Sequence, residues 1–149
     1  WGFAKLSWDD YQFLAKRLGR EVAHYMEGFG WVIGYHAIPG NDETFLRPDT
    51  PDEQVADFLL DREGKLAIGA HIHTQMNRKV GRWQVVNCGS VGASMDMAGK
   101  AQWGLFTFAD GEVDIQLKAL AYDVDAVLAD AQNAGFPQVN WLANRLRGA

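Results

Sequence analysis

The chain has 149 residues, of which 48% are hydrophobic and 22% are charged, so its composition excludes a disordered polypeptide and fits one globular domain. The formal net charge is −5 and no run of basic residues occurs, so we expect neither a nucleic-acid surface nor a membrane surface. The single cysteine, Cys88, excludes an intrachain disulfide and favours a reducing, cytoplasmic location.

The pattern of apolar residues predicts alternating helices and strands. In chain order we predict a helix over 7–19, strands over 22–26 and 31–36, a helix over 50–63, a strand over Leu66–Gly69, strands over 83–86, 105–108 and 113–117, and helices over 123–134 and 137–146. Ser7 and Thr50 are the predicted N-caps of the first two helices. No internal repeat or low-complexity linker interrupts the pattern, which indicates one α/β unit.

Three of the four histidines lie where an apolar strand gives way to a polar segment. His36 ends the predicted strand over 31–36, and His71 and His73 follow Leu66–Gly69. Ligand sites in open α/β sheets gather beyond the carboxyl ends of strands. Residues two apart on an extended segment point the same way, roughly 7 Å apart, so His71 and His73 can face one crevice. Spacing alone leaves two interpretations open, a metal site or histidines that only pack and form hydrogen bonds.

The sequence contains three notable segments in order, which are residues 33–39, Gly69-Ala70-His71-Ile72-His73 and residues 85–92. Together they resemble the second half of bacterial calcineurin-like metallophosphoesterases of the phosphodiesterase type. Residues 33–39 resemble the family's apolar strand that ends in a metal-binding histidine, here His36. Gly69-Ala70-His71-Ile72-His73 resembles the family's Gly-His-Thr-His motif. Residues 85–92, which include Asn87-Cys88-Gly89-Ser90, resemble its Asn-Pro-Gly-Ser-Val-Gly motif. The resemblance covers nearly the whole chain and implies the C-terminal half of an α-β-β-α metallophosphoesterase sandwich.

The resemblance also implies a site and a reaction. His36 and His71 would bind one divalent ion and His73 a second, and a water between the two ions would attack a phosphodiester or a phosphomonoester. Imidazole ligands suit Mn, Fe, Zn or Ni, so the sequence does not identify which metals would bind. The partner would be a small phosphorylated substrate. Arg78 would either contact its phosphate or lie in solvent, and we favour solvent.

The family's N-terminal motifs, Asp-x-His, Gly-Asp and Gly-Asn-His, have no counterpart in this sequence. Gly40-Asn41-Asp42-Glu43 lacks the histidine and follows His36, whereas the family's motif precedes that histidine. We therefore expect residues 1–149 to be the C-terminal portion of a domain whose N-terminal half is absent. No catalytic residue can be identified in this portion, and alone we expect it to be inactive.

Two other interpretations stay open. The chain could be a non-catalytic metal-binding or interaction module, or an unrelated cupin-like metal-binding β domain, although the helix predicted between His36 and His71 argues against a cupin. A half-sandwich would expose an apolar sheet face, so we also expect a tendency to form a homo-oligomer. Substrate selection would fall to the loop over 37–50 and the insertion over 94–102.

Overall fold

A computed structural model describes residues 1–148 as a mixed α/β fold, which confirms the predicted fold class. A short 3-10 turn at Phe3–Lys5 precedes the first helix. The helices are α1 (Trp8–Lys16), α2 (Asp52–Phe58), α3 (Val124–Asn133) and α4 (Val139–Arg147). The strands are β1 (Glu21–Met26), β2 (Gly30–Tyr35), β3 (Leu66–Gly69), β4 (Gln75–Val80), β5 (Trp83–Cys88), β6 (Lys100–Ala109) and β7 (Glu112–Ala121).

Five strands form one mixed sheet in the order β1-β2-β3-β5-β4. The three central strands β2, β3 and β5 run parallel, and β1 and β4 add to them antiparallel at the two edges. The central strands are rich in apolar residues because both faces of the sheet are covered there. As a result, the carboxyl ends of β2, β3 and β5 meet at one edge of the sheet.

The strand β4 was not among the predicted elements. Only Met76 and Val80 are buried in it, and polar residues fill the other positions. An edge strand needs few inward apolar residues, so its alternation is too weak to recognise in the sequence.

The core lies on both faces of the sheet. On one face, Val55 and Leu59 of the α2 region pack against a cluster that includes Ile33, Trp83 and Val85. On the other face, Phe29, Leu66 and Val86 pack against the β6–β7 hairpin. The hairpin residues in that contact are all only partly buried and are Phe106, Phe108, Val113, Ile115 and Leu117. Full burial of a side chain such as Leu59 or Leu66 contributes about 2 kcal/mol to stability.

The first helix begins as predicted but packs weakly. The Ser7 hydroxyl accepts a hydrogen bond from the Asp10 amide at 3.1 Å, and the Ser7 amide donates back to the Asp10 carboxylate at 3.0 Å. No residue of α1 is buried. Between this region and the sheet lies an open groove of about 1140 Å³, whose apolar lining includes Leu14, Leu18 and Val22. The groove also reaches His36.

Two predicted boundaries were wrong. Thr50 does not cap α2, because its hydroxyl accepts a hydrogen bond from the Arg47 amide at 2.8 Å, and the helix spans only Asp52–Phe58. The strand β6 begins at Lys100 and not at residue 105, because its first residues pair with the end of β7. Asp110 and Gly111 form the predicted hairpin turn, both with positive φ. Within residues 1–148, none of the helices has both the length and the apolar character needed to cross a membrane.

Candidate metal centre

His36 and His71 lie side by side at the carboxyl edge of the sheet. His36 directly follows β2, and His71 comes two residues after β3, the parallel neighbour of β2. The Nε2 atom of His36 is 2.9 Å from the Nδ1 atom of His71, and the ring centroids are 4.8 Å apart. The two chain segments are joined by a hydrogen bond from the Ala70 amide to the His36 carbonyl, 2.8 Å long. The structure therefore brings two of the three predicted ligands together.

His73 has a hydrogen-bond partner of its own. Its Nδ1 atom is 2.9 Å from the carbonyl oxygen of Ala93. Because a carbonyl oxygen only accepts hydrogen bonds, Nδ1 carries the proton, and in the neutral ring Nε2 keeps its lone pair. A histidine whose second ring nitrogen is held by a carbonyl group is the usual arrangement for a metal ligand.

The segment that carries His71 and His73 is not extended, which corrects the prediction from spacing. The strand β3 ends at Gly69, and His71 and His73 both have left-handed backbones with φ of 68° and 56°. Such a conformation costs a residue other than glycine about 1–3 kcal/mol and persists only where the surroundings impose it. Strain of this kind concentrates at functional sites.

Hydrogen bonds from β5 and from the loop after it hold the two histidine segments. Asn87 is only 3% exposed; its amide group donates to the Ala70 carbonyl, and its Oδ1 accepts from the Gly89 amide at 2.9 Å. The Ser90 hydroxyl accepts from the Ala93 amide at 3.0 Å. These two side chains therefore fix the segments before His71 and around Ala93.

Arg145 of α4 also contacts the Ala93 carbonyl. Its Nη2 atom donates to that oxygen at 2.8 Å, so Ala93 accepts from both Arg145 and His73. Sequence reasoning missed this residue. Along the chain, Arg145 is 52 residues from Ala93 and His73 is 20 residues from it, and no sequence motif connects the three.

The facing ring nitrogens of His36 and His71 fit a shared cation. Two imidazole lone pairs cannot face each other at 2.9 Å, so either a proton or a cation lies between His36 and His71. One ion with bonds of about 2.1 Å can reach both nitrogens. The other nitrogen of His71, Nε2, is buried and has no hydrogen-bond partner within residues 1–148. In the same part of the chain, no three His, Cys, Asp or Glu side chains converge as a complete metal-ligand set.

The Arg78 side chain is held by hydrogen bonds and an ion pair and does not lie free in solvent. Its Nη1 atom donates to the carbonyls of Pro48 and Thr50 at 2.7 and 2.8 Å, and its Nη2 atom forms an ion pair with Asp52. The side chain is only 20% exposed, so the solvated interpretation was wrong. These contacts tie the loop over 37–50 to β4, and a phosphate contact stays a prediction.

Cys88 lies at the end of β5 and lines the open groove. Burial raises the pKa of its thiol, although a hydrogen bond with the Gly104 backbone opposes this shift. Less of the thiol is therefore ionised at neutral pH than in a free cysteine, which favours a structural role over a nucleophilic one.

A second and smaller cavity, of about 440 Å³, lies near the amino ends of β3 and β5. Lys65, Lys79 and Arg82 line it together with Phe29. None of these three cations has an ion pair with an acidic side chain within residues 1–148. The fold thus brings three cations to this cavity together with the carboxylate of Glu112, although the sequence contains no run of basic residues.

No protein-family model and no curated protein matches this sequence. Among solved structures, the chain is similar to a hypothetical protein from Pyrococcus horikoshii OT3, with 17% identity and a TM-score of 0.80 over 99% of this chain and 57% of the other. A metallophosphoesterase from Sphaerobacter thermophilus has 17% identity and a TM-score of 0.75 over 98% of this chain and 65% of the other. A single mutant of Vps29 from Entamoeba histolytica has 15% identity and a TM-score of 0.52 over 72% of this chain and 63% of the other.

The chain thus spans less than two thirds of the length of each of these proteins. At such low identity, the likeness shows the fold and not the activity. The five-stranded mixed sheet, its helices and the hairpin accordingly have the α/β fold found in the metallophosphoesterase from Sphaerobacter thermophilus.

Proposed function

We propose that this chain supplies part of the active site of a metal-dependent phosphoesterase. His36 and His71 would hold one divalent ion, and His73 would take part in holding a second. The observation that carries the proposal is the 2.9 Å approach of the His36 and His71 ring nitrogens at the carboxyl edge of two parallel strands. The fold shared with a metallophosphoesterase supports it.

Each histidine has a defined part in this proposal. Ala93 accepts the Nδ1 proton of His73, which leaves Nε2 free to bind an ion. Asn87 and the Ala70 amide fix the backbone around His71. When bound, divalent ions would offset the negative charge of a phosphate ester and acidify a water molecule. That positive charge explains how a chain with a net charge of −5 could act on an anionic substrate.

The complete site needs ligands beyond these three histidines. The resemblance assigns a bridging aspartate and an asparagine ligand to motifs that this sequence lacks. We propose that residues outside residues 1–149 provide them, so that catalysis requires both portions. The substrate would be a small phosphodiester or phosphomonoester.

Hydrolysis of bis-p-nitrophenyl phosphate tests the proposal. It is measured for residues 1–149 and for the product of the complete gene, each with Mn²⁺ and with a chelator. We expect metal-dependent hydrolysis by the complete product, and we expect His36→Ala and His71→Ala to lower its rate by at least ~100-fold. His24→Ala is the control, because His24 is an exposed residue of β1. Full hydrolysis by the His71→Ala variant would contradict the proposal.

A non-catalytic metal-binding or interaction module is the second candidate. Two observations favour it: the apolar groove lined by Leu14, Leu18 and Val22, and the lack of a third converging ligand within residues 1–148. The same assay separates the two candidates. Metal bound by the complete gene product without hydrolysis of any phosphate ester would favour this module.

A further inference from the structure

The loop over 37–50 places an aromatic ring beside His71 and a cation over that ring. The Phe45 ring lies 4.8 Å from the His71 ring, with 34° between their planes, and Phe45 is 54% exposed. The Arg47 guanidinium lies over the Phe45 ring, 5.0 Å from its centroid. The residue between them, Leu46, is buried and anchors the loop in the core. Phe45 and Arg47 are named here the Phe45–Arg47 clamp.

Hydrogen bonds hold this part of the loop in place. The Arg47 amide donates to the Thr50 hydroxyl at 2.8 Å, and Arg78 donates to the carbonyls of Pro48 and Thr50. A loop that is already ordered loses little conformational entropy when a ligand binds. The backbone that carries the clamp is therefore preformed.

Neither member of the clamp is buried in the core. More than half of the Phe45 surface is exposed, although burying a phenylalanine would stabilise the fold. Arg47 has no ion pair with an acidic side chain within residues 1–148. An exposed aromatic ring with an uncompensated cation beside it can bind a ligand that combines a flat ring with a negative charge.

We propose that the Phe45–Arg47 clamp selects phosphate esters that carry a planar aromatic ring. The ring would stack on Phe45, and the negative charge of the ester would face Arg47. The proposal rests on the proposed function, because Phe45 adjoins His71, where the phosphate group would be held. It makes Phe45 and Arg47 specificity-determining residues.

Stacking sets the size of the expected effect. A nucleobase stacked on an aromatic side chain binds roughly tenfold more tightly than the same ligand without the ring. The charge on Arg47 would act on the phosphate of either ligand. The ring preference should therefore depend on residue 45, and the general affinity for phosphate esters on residue 47.

The test compares adenosine 5′-monophosphate with glycerol 3-phosphate by isothermal titration calorimetry. Zinc binding to the full chain is measured first, and each ester is then titrated with and without zinc. We expect the aromatic ester to bind about tenfold more tightly. Phe45→Leu should abolish this preference and Phe45→Trp should retain it. Arg47→Gln should lower the affinity for both esters to a similar extent. Lys79→Gln, in the separate cavity of about 440 Å³, should leave the affinities for both esters unchanged.

Each outcome decides between the two proposals. Equal affinities for the two esters while zinc is bound would overturn the clamp and leave the metal site standing. A ring preference that survives Phe45→Leu, or that is lost in Lys79→Gln, would also overturn the clamp. A preference that depends on Phe45 without any zinc binding would support the clamp and contradict the proposed function. Binding of neither zinc nor ester would contradict both.

Discussion

The position of His71 depends on the peptide groups of Ala70, the residue directly before it. The Ala70 amide donates to the His36 carbonyl at 2.8 Å, and the Ala70 carbonyl accepts from the side chain of Asn87. Asn87 is buried and also accepts from the Gly89 amide. The Asn87 side chain thus joins the end of β5 to the segment after β3 at the carboxyl edge of the sheet, where the candidate metal ligands lie.

Replacing Asn87 tests this arrangement. Asn87→Ala leaves the partly buried Ala70 carbonyl and Gly89 amide without their partner, so we expect the free energy of unfolding to fall by about 1–3 kcal/mol. Urea denaturation measures this change. Asn77→Ala is the matched control, because Asn77 is an exposed residue of the neighbouring strand and its loss should cost less than about 1 kcal/mol. An Asn87→Ala variant as stable as the wild type would contradict the account.

The sequence was sufficient to predict where the candidate ligands lie, but not how they are oriented. His36 and His71 could be expected at the same edge because each follows an apolar strand, and ligand sites gather beyond the carboxyl ends of strands. Only the family resemblance implied that they form a pair, since spacing placed His71 with His73. The left-handed backbones of His71 and His73 could not be predicted, since only tertiary contacts impose a positive φ on histidine. The contact of Arg145 with Ala93 is equally non-local.

Hydrogen bonds to Asp96 order the polar segment between β5 and β6. The Asp96 carboxylate accepts hydrogen bonds from the Gln75 amide, the Ser94 hydroxyl and the Gln102 amide group at 3.0, 3.0 and 2.7 Å. These bonds connect the start of β4 with the start of β6. Neither β4 nor the first part of β6 was predicted, because hydrogen bonds and pairing at strand ends define them more than apolar alternation does.

Asp96 should therefore make stability depend on pH. Partial burial raises its pKa, but the hydrogen bonds from Gln75, Gln102 and Ser94 outweigh burial and hold the pKa below its usual range. A lowered folded-state pKa means that Asp96 stabilises the fold above its unfolded pKa of about 3.9, and that this stabilisation is lost as the pH falls through the folded-state pKa.

We expect Asp96→Asn to lower the free energy of unfolding by about 1 kcal/mol at pH 7, since Asp96 is exposed and solvent weakens its bonds. The difference in the free energy of unfolding between Asp96→Asn and the wild type should narrow as the pH falls below about 4. Urea denaturation at a series of pH values measures this difference. A difference that stays constant from pH 7 into the acid range would show that the Asp96 charge has no part in holding this segment.

At the scale of the whole molecule, the two faces of the central sheet are covered unequally. One face carries α2 and a well-buried cluster, whereas the other is covered in part by the β6–β7 hairpin and opens into the groove beside α1. Alternation of helices and strands was sufficient to predict an α/β fold, because apolar periodicity depends on local sequence. The groove agrees with the expectation of an exposed apolar surface, and self-association through it stays a proposal.

A zinc titration of the full chain measures whether His36 and His71 hold a metal ion. We expect wild-type protein to bind Zn²⁺, and we expect His36→Ala and His71→Ala each to weaken this binding by at least ~10-fold, because each removes one of two nitrogens 2.9 Å apart. The exposed His24, changed to alanine, should leave zinc binding as it is in the wild type. Zinc affinity that is unchanged in both the His36→Ala and the His71→Ala variant would contradict the account.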